Sequence, residues 1–137
     1  MLRKCMKMVL AGTLGMMVVV VAIGSTSTAA EDKTADVSTI MKKSFGKGGL
    51  KSSVATAAKD GKWEDAQKLA KEWAELGTAI GKNKAPKGEE KSWEDHTAKF
   101  TDSTKAILKA TEDKDAKAVA KGVGSFNCMG CHKSHKP

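Results

Sequence analysis

Near its carboxyl end the chain places two cysteines and a histidine at a spacing that suits one particular chemistry. The residues in order are Cys128, Met129, Gly130, Cys131 and His132. Two thiols with two residues between them match the two vinyl groups of a haem, and the adjacent histidine is then directed at the iron from one face. The pattern predicts one covalent haem c, held by Cys128 and Cys131, with His132 as an iron ligand.

Three other interpretations of the same residues are open. A thioredoxin-like redox dithiol needs a βαβ context, which this sequence does not indicate. A zinc site would combine Cys128, Cys131, His132 and His135, but adjacent residues rarely reach the same tetrahedral ion. A plain disulfide suits an oxidising compartment. Haem attachment ranks first because it explains the order and spacing of all three motif residues.

The first thirty residues have the organisation of a secretory signal. Arg3, Lys4 and Lys7 form a positive head, residues 8–23 are apolar, and a polar stretch leads to Ala29 and Ala30. The apolar run of 16 residues is shorter than the roughly 20 that a spanning helix needs, although an uncleaved anchor is the alternative. We expect a signal peptide over 1–30, one domain over 31–137, and a periplasmic or otherwise exported protein that meets the membrane only through its leader.

The charge balance of the expected mature part is moderately basic. Removal of residues 1–30 takes three of the 24 basic residues and none of the 16 acidic ones, which leaves a net charge of +5. A basic balance can indicate nucleic-acid binding, but export removes that partner and the charges alternate in sign along the chain. We therefore expect no nucleic-acid partner and mostly solvated helix faces.

Apolar residues recur at helical spacing in four stretches, with no strand pattern. Glycines at 46, 48 and 49 predict a bend or break in the first stretch. Ser92, with Asp95 three residues on, predicts a capped start of the third, and the acidic turn at 112–115 favours the start of the fourth. The stretches are residues 37–58, 63–80, 93–108 and 116–130. They predict an all-α, up-and-down four-helix bundle with the haem motif near the end of the last helix.

The chain resembles the class II cytochromes c, the family of cytochrome c′ and its low-spin relatives. The matching parts are residues 39–43 in the first helix, 93–100 in the third, 122–124 leading to the haem motif, and Lys136 after it. Two features depart from the family pattern. The spacing from Gly124 to Cys128 is one residue longer, so we expect a local adjustment of the last helix. The expected mature chain also lacks the arginine that relatives often place near the haem propionates.

The resemblance implies a second iron ligand in the first helix. In low-spin members a methionine of that helix binds the iron, and Met41 occupies the corresponding position. A thioether ligand raises the haem potential. The alternative is that Met41 only packs in the core, which is the commoner role for a methionine on the apolar face of a helix. His96, on the inward stripe of the third helix, is the main competitor as ligand, whereas His135 is expected to be an exposed tail residue.

Two functions follow from these two states of the iron. With His132 and Met41 both bound, the protein is a one-electron carrier that exchanges electrons with unidentified redox proteins. With His132 alone it resembles a five-coordinate cytochrome c′ that binds nitric oxide or carbon monoxide. We expect no enzyme, because no distal acid–base pair can be assigned and no catalytic residue is predicted. The resemblance also implies a homodimer through the first two helices.

Overall fold

The computed structural model describes residues 34–137, and the predicted leader at 1–30 lies outside the described residues. Within residues 34–137 the fold is all-helical, without a strand, as the sequence predicts, and no helix of this part could span a membrane. The helices are α1 (Val37–Phe45), α2 (Leu50–Lys59), α3 (Trp63–Ile80), α4 (Glu90–Glu112), α5 (Ala116–Gly124) and α6 (Cys128–His135).

The first predicted stretch is two helices, as its glycines indicate. The Asp36 carboxylate caps α1 by accepting a hydrogen bond from the Thr39 backbone N–H at 3.0 Å. Gly46 ends α1 with its N–H on the Lys42 carbonyl at 2.8 Å. Gly48 then adopts φ +71°, a left-handed conformation that glycine enters without steric cost. The chain therefore turns between Phe45 and Leu50 before it resumes as α2.

The two longest helices, α3 and α4, run antiparallel and approach closely. Gln67 near the start of α3 donates to the Thr111 carbonyl near the end of α4, whereas Thr101 donates to the Gly77 carbonyl at 2.6 Å. A Cβ at Gly77 would collide with the side chain of Thr104. Glycine at this position therefore lets the two backbones come together.

The predicted start of the third helix at Ser92 is wrong. The helix begins at Glu90, and its N-cap residue Glu89 makes no side-chain cap bond. Gly88, at φ +82°, lies at the end of the preceding loop. Glu90 and Lys91 are both good helix formers, so the helix begins two residues before Ser92. Ser92 lies inside the first turn, and its hydroxyl contacts a residue far along the chain.

The last predicted stretch is interrupted where the longer spacing before the motif led us to expect an adjustment. Asp115 caps α5 by accepting from the backbone N–H groups of Lys117 and Ala118 at 3.0 and 2.9 Å. The helix ends at Gly124, and residues 125–127 are not helical. Asn127 then caps α6 by accepting from Gly130 N–H at 3.0 Å. The motif residues therefore form a separate short helix.

Buried apolar residues form two clusters. The larger, which we call the closed core, joins α2, α3, α5 and the second half of α4, and many of its members are alanines. The smaller contains Ile40, Ile80 and Trp93, with Met41, Phe100 and Cys131 packed against it. The closed core consists of Leu50, Val54, Ala57, Ala58, Ala66, Ala70, Trp73, Ile107, Ala110, Val119 and Val123.

Candidate functional site

Helix α6 presents the motif residues on one face. Cys128 is the first residue of the helix, and Cys131 and His132 follow at the three- and four-residue spacings that share a helix face. The Asn127 side chain fixes the first turn through its bond to Gly130 N–H. Local sequence alone, a capping asparagine before a short helix, thus orients two thiols and an imidazole together.

The two thiols are free and differ in exposure. Cys128 is exposed, and Cys131 is partly buried against the Ile40–Ile80–Trp93 cluster. Burial, and secondarily the nearby Cys128, raises the pKa of the Cys131 thiol. Cys131 is therefore held as a neutral thiol facing an apolar environment.

A cavity of about 900 Å³ opens beside this face of α6. Cys128, Cys131 and His132 line it together with Met41 of α1, so the fold brings all four sequence-predicted site residues to one space. His96 of α4 also lines it. The volume lies near the upper end of the range for cofactor sites, roughly 300–1,000 Å³.

Four aromatic rings form a wall at this cavity. Phe45, Phe100 and Phe126 line it and touch one another, with ring centroids 5.4–6.1 Å apart. Trp73 backs the wall from the closed core, stacked on Phe126 at 5.1 Å and edge-on to Phe45 at 5.9 Å. Such rings offer a large flat apolar surface. All four residues fall within the helical stretches that the sequence predicts, but no sequence pattern predicted that their rings would meet.

Met41 is half-buried, as a residue at the edge of a cavity should be. It packs against the Ile40–Ile80–Trp93 cluster, which Cys131 also contacts from α6. Met129 has 75% of its surface exposed, consistent with its position between the cysteines. Of the two methionines in the described part of the chain, Met41 is thus the one that faces the cavity.

The expectation that His135 is an exposed tail residue is wrong. The side chain is 2% exposed, with Nδ1 2.6 Å from the Lys87 carbonyl and Nε2 3.1 Å from the Ser92 hydroxyl. Its ring meets Trp93 edge-on at 5.4 Å and His96 at 5.7 Å. The helical extension of α6 carries His135 back onto α4, a contact that local sequence signals do not reveal.

These contacts bear on the zinc interpretation. Both ring nitrogens of His135 are occupied by protein partners, so His135 cannot complete a tetrahedral site with the two cysteines without losing them. Among residues 34–137, no three His, Cys, Asp or Glu side chains are grouped to hold a metal ion.

The side chains that line the cavity are of the types that a covalent haem requires. Two thiols and an imidazole lie on one helix face, a thioether lies on another helix, and aromatic rings line the space between. Lys99 and Lys136 also line the cavity and offer cationic partners for propionates, although a lysine ammonium lacks the fork of a guanidinium. The residues present therefore suit the covalent haem that the motif predicts.

Comparisons of the chain with protein families, with curated proteins and with solved structures find no match.

Proposed function

We propose that this protein is an exported monohaem c-type cytochrome that carries single electrons. The observation that supports it best is the shared cavity: Cys128, Cys131 and His132 on α6 and Met41 on α1 all line one apolar space of about 900 Å³. The motif residues were predicted from their spacing, whereas the resemblance to class II cytochromes c implied that Met41 would face them, and all four line this cavity. It supplies what the Cys-x-x-Cys-His pattern needs, namely room for a large flat ring beside the thiols.

The proposed architecture is the up-and-down four-helix bundle of class II cytochromes c. Helices α1 and α2 then count as one bent helix, α5 and α6 as another, and α3 and α4 as the remaining two. The antiparallel packing of α3 and α4, and the short turns at residues 46–49 and 125–127, support this grouping.

Each residue of the site has a distinct role in this proposal. The Cys128 and Cys131 thiols each add sulfur and hydrogen across one vinyl group, which fixes the haem without a further reactant. His132 of α6 and the Met41 thioether of α1 would be the protein ligands of its iron. Haem supplies an iron that changes oxidation state by one electron, and the aromatic wall keeps water from the ring.

A gas-binding protein is the second candidate. Met41 packs against the Ile40–Ile80–Trp93 cluster, which is also what a methionine serving only as packing would do. In that case His132 alone holds the iron, and the apolar side of α1 shapes a pocket for nitric oxide or carbon monoxide. Neither candidate requires a catalytic residue, and we propose no enzymatic activity.

The proposal includes the protein's location and partners. Export through the leader would deliver the chain to the periplasm or a similar compartment, where covalent haem attachment takes place. Redox proteins would be the partners, and the family resemblance implies a homodimer through the first two helices of the bundle, which are α1 with α2 and then α3. Two propionates would lower the mature net charge from +5 to about +3, which favours partners with acidic surfaces.

The decisive test is the mass of the purified exported protein. We expect the mass of the chain from Glu31 onward plus one haem, and the haem should survive extraction with acidified acetone because thioethers are covalent. Cys128→Ala with Cys131→Ala is the matched control and should lose the haem on extraction. Loss of haem from the unmutated protein would refute the proposal.

Met41→Ala separates the two candidate functions. If Met41 binds the iron, the unmutated ferric protein should be low-spin with a near-infrared methionine-to-iron band. The variant should then become high-spin, have a lower potential and bind carbon monoxide quickly when reduced. His96→Ala, as control, should change none of these. A high-spin unmutated protein that binds carbon monoxide readily would favour the gas-binding candidate.

A further inference from the structure

The short helix that carries the haem motif has little to hold it in place. Within α6, which the structure describes in full, His135 is the one buried residue, and α4 is the main helical neighbour. Cys128 and His132 are exposed, and Cys131 is only partly buried. An eight-residue helix is marginal by itself, so its position depends on the few contacts that fix it.

His135 sits in a socket made by Lys87, Gly88, Ser92 and Trp93. The Lys87 carbonyl can only accept, so Nδ1 carries the hydrogen and donates to it at 2.6 Å. In the neutral ring Nε2 is then the acceptor, and the Ser92 hydroxyl donates to it at 3.1 Å. Both ring nitrogens are thus satisfied, which fixes the tautomer and the ring plane together.

The socket itself is firmly built. Trp93 is 2% exposed, and its Nε1 donates to the Asn83 carbonyl at 2.7 Å. The Asn83 side chain donates in turn to the carbonyls of Ala35 and Ala79, each at 3.1 Å. The loop between α3 and α4, the start of α4 and the segment before α1 are therefore tied together behind the histidine.

Gly88 allows the end of α6 to approach this loop. It has φ +82°, and a Cβ there would lie 2.8 Å from the Ser134 carbonyl oxygen and 3.2 Å from His135 Nδ1. Both the backbone conformation and the backbone contact exclude a side chain. The loop sequence is thus matched to the histidine that it receives.

We propose that His135 is a positioning residue that anchors α6 in this socket and thereby sets the orientation in which His132 meets the haem iron. Successive residues turn by roughly 100° about a helix axis, so a fixed His135 fixes the rotation of His132, three residues earlier. The Asn127 cap holds the other end of the helix. The orientation of His132 at an iron rests on the proposed function, whereas the anchoring of α6 does not.

Four variants test the anchor. Ser92→Ala removes one hydrogen bond and leaves the histidine in place, and Gly88→Ala disturbs the socket from the loop side. His135→Asn keeps a donor near the Nδ1 position, whereas His135→Ala keeps neither contact. Val119→Ala is the matched control, since Val119 is buried in the closed core, away from the socket.

Two measurements on the exported protein decide the outcome. Amide hydrogen exchange in α6 should become several-fold faster in Ser92→Ala and Gly88→Ala but not in Val119→Ala. In the haem-bearing protein, the hyperfine-shifted haem methyl resonances and the midpoint potential should shift in the socket variants and stay unchanged in Val119→Ala at a similar loss of Tm. His135→Asn should lie closer to the unmutated protein than His135→Ala does.

The opposite results would refute the proposal that His135 anchors α6. Unchanged α6 exchange in both Ser92→Ala and Gly88→Ala would do so, as would equal shifts of the haem resonances in Val119→Ala. A protein that carries no covalent haem would instead refute the proposed function and, with it, the orienting of His132, while α6 exchange would still decide whether His135 is an anchor. The two failures are therefore distinguishable.

Discussion

The closed core and the cavity end share the long helices α3 and α4 but are packed in opposite ways. In the closed core, alanines and a few larger residues of α2, α3, α4 and α5 bury one another by direct helix contact. At the cavity end, α1, α6, the first half of α4 and the end of α3 surround about 900 Å³. The buried apolar cluster there has three members among the described residues: Ile40, Ile80 and Trp93. One end is closed by its own side chains, and the other encloses a cavity.

The aromatic wall divides the two regions. Trp73 belongs to the closed core, yet it stacks on Phe126, which lines the cavity. Small residues allow helices to approach, whereas rings hold them apart and provide a flat surface. The distribution of alanine and aromatic residues thus decides which part of the bundle closes and which stays open.

If the cavity holds the proposed haem, removal of its attachment should produce the largest effect. Cys128→Ala with Cys131→Ala should leave the cavity end without the buried apolar area that a porphyrin supplies, at roughly 25 cal/mol per Å². We expect much of the helical signal to be lost and the thermal transition to broaden, as followed by circular dichroism. A cooperative melt close to that of the haem-bearing protein would contradict the idea that the stability of the cavity end depends on a bound haem.

Trp73→Ala should have the next largest effect, because it removes the ring that joins the two regions. A fully buried tryptophan replaced by alanine lowers the free energy of unfolding by about 3–5 kcal/mol, measurable by denaturant titration. The haem absorption spectrum should change as well, since Phe126 loses its stacking partner. Ile107→Ala is the control: a loss of about 2–5 kcal/mol with an unchanged spectrum. A spectrum equally affected by both variants would show that the wall is not a separate feature.

Local signals explain which structural features could be predicted. The break at the glycines after Phe45, the helix start after the acidic turn at 112–115 and the bounds of α3 depend on residues a few positions apart, and these predictions are confirmed. The exposure of His135 was predicted wrongly because its contacts are distant in sequence. Its hydrogen bond with Ser92 joins positions 43 residues apart, so neither periodicity nor capping patterns contain it. The sequence at Ser92 has a capping pattern, but the loop ends at Gly88 and Glu89, and the helix begins at Glu90 instead.

The candidate site likewise combines residues that local spacing predicts with contacts that only tertiary packing determines. Cys128, Cys131 and His132 could be named because their spacing is itself the chemical requirement. Their meeting with Met41 in one cavity was an expectation from resemblance, and the convergence of Phe45, Phe100 and Phe126 was not foreseen at all. Those rings come from three helices, and only tertiary packing decides that they touch. What stays a prediction is the haem itself and the bond between Met41 and its iron.

The smallest expected effect concerns the cap of α1, the helix that carries Met41. The Thr39 hydroxyl, which donates to Asp36 at 2.7 Å, and then the Thr39 backbone N–H hold the pKa of Asp36 below its usual value. A depressed carboxyl pKa contributes stability at and above the ordinary value of about 3.9, and that contribution is lost as the pH falls through the lower folded value. Asp36 is exposed, so salt should weaken the effect further.

Acid should therefore loosen the start of α1 before it disturbs the closed core. In the unmutated protein, the Thr39 amide resonance should titrate below the ordinary aspartate range, and its hydrogen exchange should accelerate there. Asp36→Asn keeps a capping side chain without the charge, so its Thr39 amide should not titrate in that range. Asp115→Asn, which changes the cap of α5 at the closed core, should leave the Thr39 titration as it is. If the Thr39 amide of the unmutated protein instead titrates at the ordinary aspartate pKa, the cap adds no stability to the cavity end. The start of α1 would then be held by packing alone.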